Sequence, residues 1–149
     1  MDIKDIILPK LTAFNAKEHL NKKKVLEEIG DLICHEDTAI KYPDVLEALQ
    51  QREKIGSTAI GHGVAIPHAR VPGLKNPLCA VLTLQHPINF CDQETALVDI
   101  IFCLVVPEDN NDEHVKMLAL IAERLKEKTY RTTLRQASSN SELYAAITE

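Results

Sequence analysis

The residues best suited to chemistry stand together in one stretch, Gly56-Ser57-Thr58-Ala59-Ile60-Gly61-His62-Gly63-Val64-Ala65-Ile66-Pro67-His68-Ala69-Arg70. Three glycines allow backbone angles that a side chain forbids, so the chain can turn tightly and bring its amide groups close to a ligand, a setting that suits anions. Val64-Ala65-Ile66 reads as a short strand, and Pro67 biases Ile66 toward an extended conformation, so that His68 is presented from a stiff support. A neutral imidazole is nucleophilic near pH 7 without special activation. Beside glycine-rich amides and arginines, the electrophile it fits is a phosphoryl group. Taken alone, a histidine in a glycine-rich turn also fits a structural or simply exposed ring.

Two further groups join this stretch. Arg52 falls at the junction between a helix and the glycine loop, where it either compensates the helix dipole or offers its planar fork to a phosphoryl group. His114 falls in the first turn of a later helix, where unpaired amides and a positive dipole favour an anion and a neutral ring. It either donates to a phosphoryl group or helps the helix start.

The string Arg52-Glu53-Lys54-Ile55-Gly56-Ser57-Thr58, followed by Gly61-His62-Gly63-Val64-Ala65-Ile66-Pro67-His68, resembles the active-site signature of enzyme IIA domains of the fructose/mannitol class in the bacterial sugar phosphotransferase system. The resemblance is closest to the stand-alone nitrogen-regulatory branch of that class and covers nearly the full length. It implies a phosphoryl group carried on His68, as a tele-phosphohistidine on one of the two nitrogen choices, with His114 of the run His114-Val115-Lys116-Met117-Leu118-Ala119 as a supporting residue. His62 is a departure, since these domains often carry asparagine or another polar residue there. Arg52 and groups near Ser57 and Thr58 would receive the phosphoryl oxygens. Ser57 and Thr58 otherwise only shape the turn, His62 otherwise points to solvent, and Arg70 otherwise belongs to a solvated rim.

The implied activity is that of a phosphotransferase component, an enzyme in that narrow sense, which accepts a phosphoryl group from a phosphocarrier histidine protein of the sugar or nitrogen branch. No cofactor and no metal are required. The nitrogen-regulatory resemblance adds a signalling role through phosphorylation-dependent binding to a potassium transporter or a sensor kinase. The alternative is sugar uptake, passing phosphate to a separate IIB component. A third reading, a metal-dependent hydrolase on His62, His68 and His114, finds no HExxH helix or comparable ligand pattern in the sequence.

The rest of the chain must position these groups. Its 149 residues, 45% of them hydrophobic, suffice for one domain with a substantial aliphatic core, since aromatics are few and tryptophan is absent. Net charge is −5 with mixed signs, which excludes the basic footprint of a nucleic-acid binder. No apolar run approaches the roughly 20 residues of a membrane span, and the N-terminus lacks a secretory pattern. The expectation is a soluble, cytoplasmic protein. Cys34, Cys79, Cys91 and Cys103 lack metal-site spacing and read as reduced packing residues.

An edge strand is expected near residues 11–14. Val25, Leu26, Ile29, Leu32 and Ile33 recur at helical spacing after Asn21, with Lys22, Lys23 and Lys24 on a solvated face. A second helix is expected to start at Pro43, bury Val45, Leu46 and Leu49, and end near Arg52 or Glu53. Leu78 to Leu84 and Val98 to Val106 are nearly continuous apolar runs, as in strands covered on both faces. His86-Pro87-Ile88-Asn89-Phe90 suggests a break between them. A helix capped by Asn111 or Asp112 should bury Val115, Leu118, Ala122 and Leu125. A short helix over 129–136 and a last one opened by a Ser139/Glu142 capping box complete the chain. The fold class is α/β, one domain over 1–149, with a mixed central sheet flanked by helices.

Overall fold

The computed structural model describes residues 2–16, 21–90, 97–109 and 112–149. The expectations for Cys91 and for a cap at Asn111 lie outside these residues. At the centre is a six-stranded sheet: β1 (Ile7–Ala16), β2 (Ala59–Gly61), β3 (Val64–Ala65), β4 (His68–Val71), β5 (Leu78–Asn89) and β6 (Leu97–Pro107). The order is β1-β5-β6-β3-β2, and β4 also pairs with β6. β1 is parallel to β5, β5 antiparallel to β6, and β3 and β4 both parallel to β6. The sheet is therefore mixed.

The two long apolar runs form β5 and β6 because both faces of each are covered. Ala80, Leu82, Cys103 and Val105 pack on one side, and Val81, Phe102 and Leu104 on the other. Helices α1 (Lys22–Glu36) and α2 (Tyr42–Ile55) cover the first side. Helices α3 (Glu113–Leu125), α4 (Lys128–Gln136) and α5 (Asn140–Thr148) cover the second. Each fully buried aliphatic side chain in these layers contributes about 1.5–3 kcal/mol relative to exposure.

Local sequence explains most element ends. Asn21 caps α1 by accepting from the Lys24 amide at 2.9 Å, and Pro43 stands in the first turn of α2. Strand β1 starts at Ile7, four residues earlier than expected, because Pro9 is tolerated on an edge strand. β5 does not break at Pro87. Its register with β6 shifts between Thr83 and Ile88, and the exposed Gln85, His86 and Pro87 occupy the irregularity.

Two expectations are corrected. On α3 the expected Leu125 is buried and Leu118 and Ala122 pack partly buried against the core, but the other fully buried side chains are Met117 and Ile121, and Val115 is 56% exposed. Val115 lies two residues, about 200°, round the helix from Met117, which takes it, alone of the expected four, off the buried stripe. The capping box of α5 is also displaced. Ser139 Oγ accepts from the Glu142 amide, but the Glu142 carboxylate reaches the Ser138 amide and hydroxyl instead of Ser139. Those bonds hold the Glu142 carboxyl below its usual range.

Cys79 and Cys103 are fully buried on opposite faces of the sheet, and Cys34 is half-buried on α1; all three are free thiols. Burial pushes each thiol above its ordinary range, which keeps it unreactive. Among the described residues no helix is long and apolar enough to cross a membrane.

Candidate phosphoryl-transfer site

β3 and β4 run one after the other along the outer edge of β6, joined by Ile66 and Pro67. Leu104 N donates to Pro67 O at 2.9 Å, so the proline, which has no donor, still takes part through its carbonyl. His68 opens β4 opposite Leu104. The ring is half-buried, and its Nδ1 lies 2.9 Å from Ile66 O. A carbonyl oxygen only accepts, so Nδ1 carries the hydrogen. Nε2 then holds the lone pair and accepts from Arg52 Nε at 3.3 Å. A protonated ring would set two N–H donors against each other at that contact, so this geometry belongs to neutral imidazole.

The electrostatics agree. Burial lowers the His68 pKa most; the Ile66 hydrogen bond works against it, Arg52 and His114 lower it further, and Glu53 raises it. The net direction is down, which leaves the ring uncharged at neutral pH.

Arg52 comes from the last turn of α2, and its Nη1 donates to Gly56 O at 2.9 Å. The fork is thus anchored on one side and points to His68 with the other. A pocket of about 180 Å³ in front of the imidazole is lined by Arg52, His68, Arg70, Leu104, His114 and Leu118, among others. His114 reaches it from the first turn of α3, whose N-cap is Asp112. Arg70 is exposed on β4, with Nη1 3.5 Å from Glu108 O. Sequence reasoning named all four polar groups, and the fold brings them to one opening.

The other named residues have different surroundings. Ser57 Oγ donates to Phe90 O at 3.2 Å and accepts from Ala59 N at 3.2 Å. Thr58 is buried, and its Oγ1 donates to Glu53 Oε2 at 2.5 Å. Both hydroxyls are engaged by the protein itself, although Ser57 and Thr58 line a second depression shared with Arg52 and His68. His62 stands at the tip of the β2–β3 hairpin, outside the pocket. It has φ +58° and Gly63 has φ +78°, the pair of positive values that a two-residue type I′ hairpin requires. Histidine shares with asparagine an enhanced tolerance of this region, which accounts for the departure at this position without a chemical role.

Arg135 holds the hairpin in place. Its Nη2 donates to His62 O at 2.6 Å and to Asp99 Oδ1 at 2.8 Å, and a Cβ at position 63 would collide with it. His62 is not among the residues that line the pocket shared by His68 and His114. Among the described residues no group of three or more His, Cys, Asp or Glu could hold a metal ion.

Residues 6–149 match the family described as phosphoenolpyruvate-dependent sugar phosphotransferase system, EIIA 2. The chain belongs to this family. It is 40% identical over 129 residues to the nitrogen regulatory protein of Pseudomonas aeruginosa, covering 87% of this chain and 84% of that protein. The crystal structure of nitrogen regulatory protein IIA-Ntr from Neisseria meningitidis superposes with a TM-score of 0.88 at 36% identity, covering 98% of this chain and 99% of that one. The crystal structure of IIA mannitol from Escherichia coli shares the fold, with a TM-score of 0.76 at 18% identity over 94% of this chain and 98% of that one. This EIIA 2 chain is therefore a phosphotransferase component of the nitrogen-regulatory kind.

Sequence reasoning missed Glu53, Lys22 and Arg135. Glu53 lies inside the motif, next to Arg52, and its pairing with Lys22 across 31 positions leaves no periodic signal.

Proposed function

We propose that His68 Nε2 accepts a phosphoryl group from a phosphohistidine carrier protein and that the phosphorylated form regulates partner proteins. The observation that supports this most is the held imidazole: Nδ1–H on Ile66 O, and Nε2 directed toward Arg52 in an open pocket. In the transfer, the Nε2 lone pair attacks phosphorus in line with the carrier nitrogen. An N–P bond forms at His68, the carrier's N–P bond breaks, and the departing nitrogen keeps the electron pair. The His68 ring gains positive charge, which the Ile66 carbonyl stabilises by accepting from Nδ1–H. Arg52, His114 and Arg70 meet the equatorial oxygens, whose charge must be balanced in a loose transition state.

The surroundings suit a protein donor. Ile55, Ile60 and Val115 are 83%, 47% and 56% exposed; Ile60 and Val115 flank the site, from the hairpin and from the first turn of α3. Aliphatic side chains round a charged centre fit the apolar patch of a docking partner. A phosphoryl group there adds about −1.5 to −2 charges amid that apolar rim and so changes which partner can dock. A potassium transporter and a sensor kinase are the candidate targets, tested by co-elution with the phosphorylated and unphosphorylated forms. The nitrogen-regulatory kinship favours this role over sugar uptake through a IIB component.

The test is transfer from the phosphorylated carrier to ¹⁵N-histidine-labelled protein, read by phosphorus–nitrogen coupling. Coupling at Nε2 of His68 is expected. Coupling at Nδ1, or at another histidine, overturns the assignment.

A further inference from the structure

Arg52 and Glu53 are neighbours at the end of α2, yet they face different surroundings. Arg52 reaches the pocket. The Glu53 side chain is only 5% exposed and takes three donors: Thr58 N at 3.3 Å, Thr58 Oγ1 at 2.5 Å and Lys22 Nζ at 2.7 Å. Lys22 itself is tied down, donating to Phe90 O at 3.2 Å and lying 4.7 Å from the centroid of the Phe90 ring.

Thr58 passes this restraint on. Its carbonyl accepts from Ile66 N at 3.0 Å, and the Ile66 carbonyl accepts from His68 Nδ1 at 2.9 Å. The other side of the imidazole leads back to the same place. Arg52 Nε meets His68 Nε2, and the guanidinium is anchored on Gly56 O, inside the short loop that the Glu53–Thr58 bonds close. We infer that Glu53 is the positioning residue of this site, fixing both ring nitrogens of His68 through its grip on Thr58 and on the loop that holds Arg52. The inference rests on His68 being the phosphoryl acceptor.

A purely structural reading accounts for less. A buried ion pair is commonly replaced by apolar residues of similar volume without loss of stability, so Lys22 and Glu53 are not needed for packing alone. What an apolar pair cannot supply is two acceptor oxygens for one threonine. The carboxylate also opposes the influences that make His68 less basic, namely burial, Arg52 and His114, in a pocket that Arg70 also lines. It therefore orients the ring and preserves the affinity of its lone pair.

The test uses the full chain as wild type, Glu53→Gln and Thr58→Val. Long-range ¹H–¹⁵N spectra of the unphosphorylated His68 ring are recorded across pH, beside the rate of transfer from the phosphorylated carrier. Circular dichroism verifies folding. For Glu53→Gln the expected result is a ring no longer held mainly as the Nδ1–H tautomer, titrating at lower pH than wild type. Maximal transfer should fall roughly tenfold, as a misplaced reacting group implies, with half-saturation by the carrier changed by less than about twofold. Thr58→Val keeps the carboxylate and weakens only the Ile66 hold on Nδ1, so it should disturb the tautomer with a smaller downward displacement in pH than Glu53→Gln.

A folded Glu53→Gln that keeps the wild-type tautomer, titration and rate overturns the inference. If Glu53→Gln does not fold, Thr58→Val decides, and an undisturbed tautomer overturns the inference there too. Wild type that takes no phosphoryl group refutes the carrier reading, while the ring spectra still decide the role of Glu53.

Discussion

Arg52→Ala removes the guanidinium that touches the proposed nucleophile, His68, and the geometry sets the size of the expected loss. Two contacts disappear, Nε to His68 Nε2 at 3.3 Å and Nη1 to Gly56 O at 2.9 Å. A single donor aimed at developing transition-state charge is worth about 10²–10³ in rate. Arg52 is only half-buried at an open pocket, so the lower end applies: about a hundredfold, or about 2.7 kcal/mol of barrier.

The pH dependence has a definite sign. Arg52 lowers the His68 pKa by charge, and its bulk adds to the burial that lowers it most. Removing it moves the pKa up, so the pH at which the rate reaches half its maximum must rise. Above that pH the ring is neutral in both proteins, and the hundredfold deficit remains alone. Arg52→Lys keeps the charge but not the anchored fork, so it should restore the pH midpoint more fully than the rate. The assay is a time course of intact mass during transfer from the phosphorylated carrier, from pH 5.5 to 9. A loss under about threefold at high pH, or a midpoint that moves down, refutes this role of Arg52.

Arg131 is a buried guanidinium on α4 whose Nη1 donates to Leu125 O and Lys126 O, both at 2.8 Å, at the C-terminal end of α3. Arg131→Met orphans those carbonyls and should cost about 2–4 kcal/mol, seen as a lower urea midpoint at unchanged slope. At the hairpin tip, His62→Asn should leave stability within about 0.5 kcal/mol and transfer unchanged, because asparagine suits the type I′ position. His62→Val should cost about 1–2 kcal/mol, because a β-branched side chain resists positive φ. Urea denaturation of both variants measures the difference.

The parts of this fold that could be read from sequence are those whose neighbours in space repeat along the chain. The apolar runs of β5 and β6 announce strands covered on both faces, and α1 shows its buried stripe in Val25, Leu26, Ile29 and Ile33. The site was legible for a different reason. Gly63, Pro67 and His68 are confined by backbone geometry to one compact segment, and Arg52 and His114 mark the ends of helices that converge on it.

What stayed hidden depends on partners distant in sequence. β1 runs through Pro9 only because it stands at the edge of the sheet, and β5 passes Pro87 only because its register with β6 shifts there. Lys22 looks like any lysine on a solvated face until the fold sets it 2.7 Å from Glu53. Arg135 likewise gains its meaning from Asp99 and the His62 carbonyl, neither of which is near it in the chain.

Phosphoryl transfer to His68 is tested most directly by intact mass after incubation with phosphoenolpyruvate, enzyme I and each phosphocarrier histidine protein, for wild type and His68→Ala. Wild type is expected to gain one phosphoryl group that is lost on brief acid treatment and absent from His68→Ala. An acid-stable adduct, an equal gain in His68→Ala, or no gain from either carrier would contradict the assignment.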